Sequence, residues 1–87
     1  MEQHYLTNEQ IAAFASSLVR AERTPATIEK YLRSVRAFFL YLDGQPVTKD
    51  AVVAWKEHLQ SVGGYSPSTV NASLAAINDL FTFLGWT

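Results

Sequence analysis

Apolar residues recur along this chain at intervals of three and four, and no segment alternates with period two, so the spacing predicts helices and no sheet. The first stretch carries Ile11, Phe14, Ala15, Leu18 and Val19, and the second Ile28, Leu32, Val35, Phe39 and Leu42. The third offers Val52, Trp55, Leu59 and Val62, and the fourth Val70, Leu74, Ile77, Phe81 and Leu84. Each set falls on one side of a helix with 3.6 residues per turn, so each helix has a face to bury.

The polar residues between these stripes supply start and stop signals. Thr7 followed by Gln10 forms a capping box, with Leu6 and Ile11 placed as a hydrophobic staple. Thr24-Pro25 and Ser66-Pro67 each put a hydroxyl cap before a proline in the first helical position, where the missing N–H costs nothing. Thr48 precedes Lys49 and Asp50, and the acidic residue suits the positive end of a helix. Asp43-Gly44, Gly63-Gly64 and Gly85 read as left-handed stops. The predicted helices span about 8–21, 25–42, 49–62 and 67–84, which makes the chain an all-α, compact four-helix bundle. Helices two and four also echo one another at an offset of 42 residues: Thr24-Pro25-Ala26-Thr27-Ile28 aligns with Ser66-Pro67-Ser68-Thr69-Val70. Two such units suggest a pseudo-symmetric bundle with two hydroxyl-ringed helix starts.

Composition narrows the function. Eighty-seven residues make one domain, and 48% apolar content suffices for a core. The absence of cysteine excludes disulfides and cysteine metal sites. The longest apolar run, Ala37 to Leu42, is too short to span a bilayer, and Met1-Glu2-Gln3-His4 has neither the basic start nor the apolar stretch of a signal peptide. The expected setting is cytoplasmic. His4 reads as a frayed-end residue and His58 as a helix-surface residue, neither with the companions a metal site needs. No phosphate-binding glycine loop or nucleophile elbow is present, and Ser16, Ser17, Ser34, Ser61 and Ser73 have no evident base. No catalysis, cofactor or metal is therefore expected of this chain.

The net charge of −1 hides an asymmetry. Arg20, Arg23, Lys30, Arg33 and Arg36 cluster around helix two against Glu22 and Glu29, while the rest of the chain is acidic. Lys30, Arg33 and Arg36 fall within an arc of about 120°, opposite the apolar stripe. With Arg23 nearby and Thr24 and Thr27 at the helix start, the segment offers point charges along one side and N–H groups at its tip, which suits a phosphate backbone. Glu29 is spaced to pair with Arg33. The outer face of helix four holds the small or weakly polar Asn71, Ala72, Ala75, Asn78, Asp79 and Thr82. Ser66, Ser68 and Thr69 crowd its start, where Asn71 is placed to meet a base edge or a phosphate.

The string Thr24-x-x-Thr27-Ile28-x-x-Tyr31-x-x-x-Val35-x-x-Phe38-Phe39-x-Tyr41-Leu42 resembles the second helix of the N-terminal SAM-like, core-binding domain of tyrosine recombinases, the phage integrase family. Val47-Thr48 opening a helix, and Ser66-x-Ser68-Thr69-Val70-Asn71 opening another that ends Leu80-Phe81-x-Phe83-Leu84, extend the likeness to nearly the whole chain. The resemblance implies a SAM-like bundle that forms half of a clamp around duplex DNA during site-specific recombination and integration, with its second and fourth helices at the grooves. Together with the charge asymmetry and the two hydroxyl-rich helix starts, it points to contacts from Arg23, Thr24, Thr27, Lys30, Arg33, Arg36, Ser66, Ser68, Thr69 and Asn71. Other protomers in a synaptic complex are the further partners, and the isolated fragment is expected to be monomeric.

The catalytic half of such enzymes is a separate C-terminal domain that nothing here matches, so Tyr5, Tyr31, Tyr41 and Tyr65 are not nucleophile candidates and the chain reads as a fragment of a longer recombinase. An interdomain linker is expected to begin at Gly85-Trp86-Thr87. These domains are often more basic than this one, which implies weak binding by the isolated unit. The alternative is a helical protein–protein interaction module without direct DNA contact, favoured by the low overall charge and by Leu40, Val53 and Phe83 outside the core stripes.

Overall fold

Each helix begins where a hydroxyl side chain replaces a missing backbone partner. The computed structural model describes residues 4–86 and contains α1 (Asn8–Arg20), α2 (Pro25–Leu42), α3 (Lys49–Ser61) and α4 (Pro67–Leu84). Thr7 and Gln10 close the capping box reciprocally, at 2.9 and 3.2 Å. Thr24, Thr48 and Ser66 accept from the amides of Thr27, Ala51 and Thr69. The fold is the expected all-α bundle. Among the described residues the sole β-type pairing is an isolated bridge between His4 and Val47.

The core has its centre where α2 and α4 meet, the largest of the helix–helix interfaces. Val35 and Phe38 of α2 and Ile77 and Leu80 of α4 are fully buried. Ile11, Phe14 and Leu18 close this centre from α1, and Trp55 and Leu59 from α3. The repeat seen in the sequence extends into this packing. Val35 and Phe38 occupy the register of Ile77 and Leu80, and both helices have the same length and the same kind of N-cap, a hydroxyl residue before proline. The echo stops at the surface, because Lys30, Arg33 and Arg36 of α2 correspond to Ala72, Ala75 and Asn78 of α4. Two copies of one packing unit therefore present unlike outer faces.

Several side chains depart from the sequence expectation. Phe38, not Phe39, is the innermost aromatic of α2, and Phe39 is half-buried. The reason is tertiary: rings from two other helices gather on Phe38, Trp55 at 5.8 Å and Phe81 at 6.3 Å between centroids. Val19 and Val62 are exposed, at 63% and 75%. Val19 lies in the last turn of α1 and Val62 at the cap of α3, beyond the packing seam. His4 is not frayed: its carbonyl accepts from Val47 N–H at 2.6 Å, and its ring stacks on Trp86 at 4.6 Å. Trp86 itself folds back, its N–H donating to the Phe81 carbonyl. Of the stretch read as a linker start, Thr87 lies outside the described residues, as do Met1, Glu2 and Gln3.

The end of α1 had no stop signal in the sequence. The chain turns there through Glu22 at φ 58°, with Glu22 N–H donating to the Val19 carbonyl and Arg23 N–H to that of Leu18. This is a Schellman closure built without glycine. At the end of α2 the left-handed position is Asp43, with φ 47°, and Gly44 follows in the same region.

Two stability outcomes follow. Phe38→Ala should cost about 3–5 kcal/mol by leaving a cavity, with Phe39→Ala costing less, in urea unfolding. Glu22→Gly should relieve the left-handed strain, with a net gain of about 0.5–1 kcal/mol after the entropy glycine adds to the unfolded chain, seen as a higher thermal midpoint.

Candidate nucleic-acid interface

With Val35, Phe38 and Leu42 turned inward, helical geometry forces the cations of α2 outward. Lys30, Arg33 and Arg36 are all exposed, as are Arg20 and Arg23 just before the helix. Arg33 pairs with Glu29 at 3.0 Å, but both side chains are more than 70% exposed. Such an i,i+4 pair is worth only about 0.3–0.5 kcal/mol, so the guanidinium exchanges this partner for a stronger anion at little cost.

The bundle brings part of the predicted site together. Lys30 and Arg33 line one groove with Ser68 and Thr69, across the seam between α2 and the start of α4. The groove holds about 410 Å³, and Tyr31, Ser34, Trp55 and Tyr65 are among its other lining residues. Arg23 and Arg36 lie instead on the α1 side of the same helix, in a second groove that Arg33 also borders. Thr24, Ser66 and Asn71 are exposed and border neither groove, and Thr27, half-buried, borders neither. Six of the ten predicted residues thus line the grooves on the two sides of a ridge that carries Arg33, and the other four lie outside both.

The helix tips offer fewer amides than the sequence suggested. At α2, Pro25 has no N–H, Thr27 N–H is taken by Thr24 Oγ1 and Ile28 N–H by the Thr24 carbonyl. The Thr24 hydroxyl itself donates to Thr27 Oγ1 at 2.8 Å. The start of α4 repeats this arrangement with Ser66, Thr69 and Val70. What remains for an anion at each tip is one amide, Ala26 or Ser68, plus the helix dipole. The cationic side chains, rather than the tips, dominate the electrostatics.

Sequence reasoning missed Tyr65, which stands at the mouth of the α2–α4 groove. Its ring lies over Gly63, where an added Cβ would come within 2.6 Å of Tyr65 Cε2. A side chain at position 63 would push that ring aside, while Gly64, at φ +63°, makes the turn. The available signal was a pair of glycines where one suffices to end a helix.

Among the described residues no group of three His, Cys, Asp or Glu side chains is placed to hold a metal ion, and no helix is long and apolar enough to cross a membrane. Neither a curated protein nor a solved structure matches the chain. A family model does: the N-terminal SAM-like domain of phage integrases matches residues 6–87, a span that includes all four helices. By that match over almost its entire length, the chain belongs to the family of phage integrase N-terminal SAM-like domains.

Proposed function

We propose that this chain is the core-binding domain of a tyrosine recombinase, one half of a clamp that grips duplex DNA at the recombination site. The observation that carries this reading is the α2–α4 groove, where Lys30 and Arg33 stand beside Ser68 and Thr69 with no carboxylate among the lining residues. A phosphate entering there meets two cations, hydroxyl donors and the positive end of α4. Asn71, exposed one turn further along α4 and outside the groove, is the residue we assign to a base edge or a second phosphate. Thr24, Thr27 and Ser66 then act chiefly as caps that fix the helix starts, and Arg23 and Arg36 add field from the flank.

Family membership supports a domain related to tyrosine recombinases and belonging to their non-catalytic N-terminal part. In the proposed setting the transesterification chemistry comes from a C-terminal catalytic domain, and this chain supplies positioning: it holds the duplex and meets neighbouring protomers of the synaptic complex. The isolated domain is proposed to be monomeric and to work in the cytoplasm. With a net charge of −1 it neutralises few phosphates, so its own affinity is expected to be low and its salt dependence shallow.

A low-salt titration of isotope-labelled chain with duplex should shift the amides of Lys30, Arg33, Ser68, Thr69 and Asn71. Shifts confined to the Lys49–Lys56 face of α3 would move the site elsewhere. Arg33→Glu should weaken binding across all sequences and lower the slope of log K against log salt by about 1, with stability within about 0.5 kcal/mol of the parent.

A further inference from the structure

The second groove, between the end of α1 and the outer side of α2, has a chemistry that a duplex does not match. It is open and large, about 870 Å³. Its apolar surface comes from Val19, Ile28, Leu32, Ala37 and Leu40. Leu40 stands 75% exposed at one end, and Val19 is also largely uncovered. The exposed Val19 and Leu40 lie in one shallow groove with Ile28 and Leu32, so a single apolar stripe laid along it would cover them together. The rim carries Arg23, Arg33 and Arg36, and its single carboxylate, Glu29, is already held by Arg33.

These two properties together select the occupant. A phosphate backbone gains nothing from an aliphatic strip, and a purely apolar partner leaves the guanidinium groups to be desolvated without compensation. An amphipathic helix with carboxylates beside its apolar stripe satisfies both. The dimensions agree: Pro25 to Leu40 runs about 22 Å along α2, the length of a helix of about 15 residues. We propose that the α1–α2 groove is a docking site for an acidic amphipathic helix of a partner protein. Val19, Leu32 and Leu40 take its apolar stripe, while Arg23 and Arg36 take its carboxylates. Arg33 joins them when it releases Glu29. The site lies on the opposite side of the Arg33 ridge from the α2–α4 groove, and the inference does not depend on duplex binding.

The probe is an amidated peptide of about 16 residues with Leu at positions i, i+4, i+7 and i+11, flanked by Glu. Titrated into the labelled chain, it should give saturable shifts at Val19, Leu32, Ala37 and Leu40 and gain helicity as it binds. Leu40→Asp, at a position exposed enough to leave the fold intact, should reduce affinity by about tenfold or more, and Arg36→Glu should do likewise. Val53→Asp, on the exposed side of α3, should leave it unchanged. A peptide with Gln in place of every Glu should bind much more weakly. The proposal is overturned if no saturation occurs, if the shifts map to another face, or if Leu40→Asp leaves the affinity intact. It is also overturned if the Gln peptide binds equally well, or if sedimentation shows a self-association that Leu40→Asp abolishes, which would give the groove to a second copy of the chain.

Discussion

The contact on which the rest of the molecule depends is the seam of Val35 and Phe38 against Ile77 and Leu80. Four fully buried side chains from two helices of equal length fix the rotation of α2 about its own axis. That rotation alone decides where the cations go. Had the helix turned by one residue, about 100°, Arg36 or Lys30 would face the core and be driven out again by the cost of burying an unpaired charge. Apolar burial and charge solvation thus enforce the same phase, and the cationic ridge is a by-product of the core. The aromatic cluster strengthens the constraint from α3, because Trp55 packs on both Phe38 and Tyr41.

The internal repeat gives this seam a second meaning. Two helices that echo one another in sequence pack together, and their caps match in hydrogen bonding. The core positions differ in size, as at Phe38 and Leu80, but the charge difference is outward, with three cations on α2 where α4 has two alanines and an asparagine. One helix offers charge and the other offers close approach. A surface that follows a polyanion uses both, since bulky side chains on α4 would hold the backbone away from the α2 cations.

Legibility in the sequence followed the range of the interactions. Helix starts depend on a hydroxyl and an amide three residues apart, so Thr7, Thr24, Thr48 and Ser66 were all readable, as was the exposure of Lys30, Arg33 and Arg36. What remained hidden was tertiary. Phe38 and Phe39 are equally apolar neighbours, and only the arrival of Trp55 and Phe81 distinguishes them. Val19 and Val62 continue their stripes correctly, yet the helices end where nothing is left to cover them. Glu22 has no residue-type signal for a left-handed turn, and the stacking of His4 on Trp86 joins positions at opposite ends of the chain. The site showed the same division: the cations were legible one by one, but their partition between two grooves was not, because it depends on which neighbour flanks each side of α2.

The central claim is that one surface, formed by the cationic side of α2 and the start of α4, faces phosphate. The chain contains no cysteine, so single thiols report on it without background. The most direct measurement is the alkylation rate of Lys30→Cys, Ser68→Cys and Lys56→Cys variants with and without saturating duplex at low salt. Duplex should slow the reaction at positions 30 and 68 and leave position 56 unchanged. Equal rates at all three, or protection at position 56 alone, would contradict it.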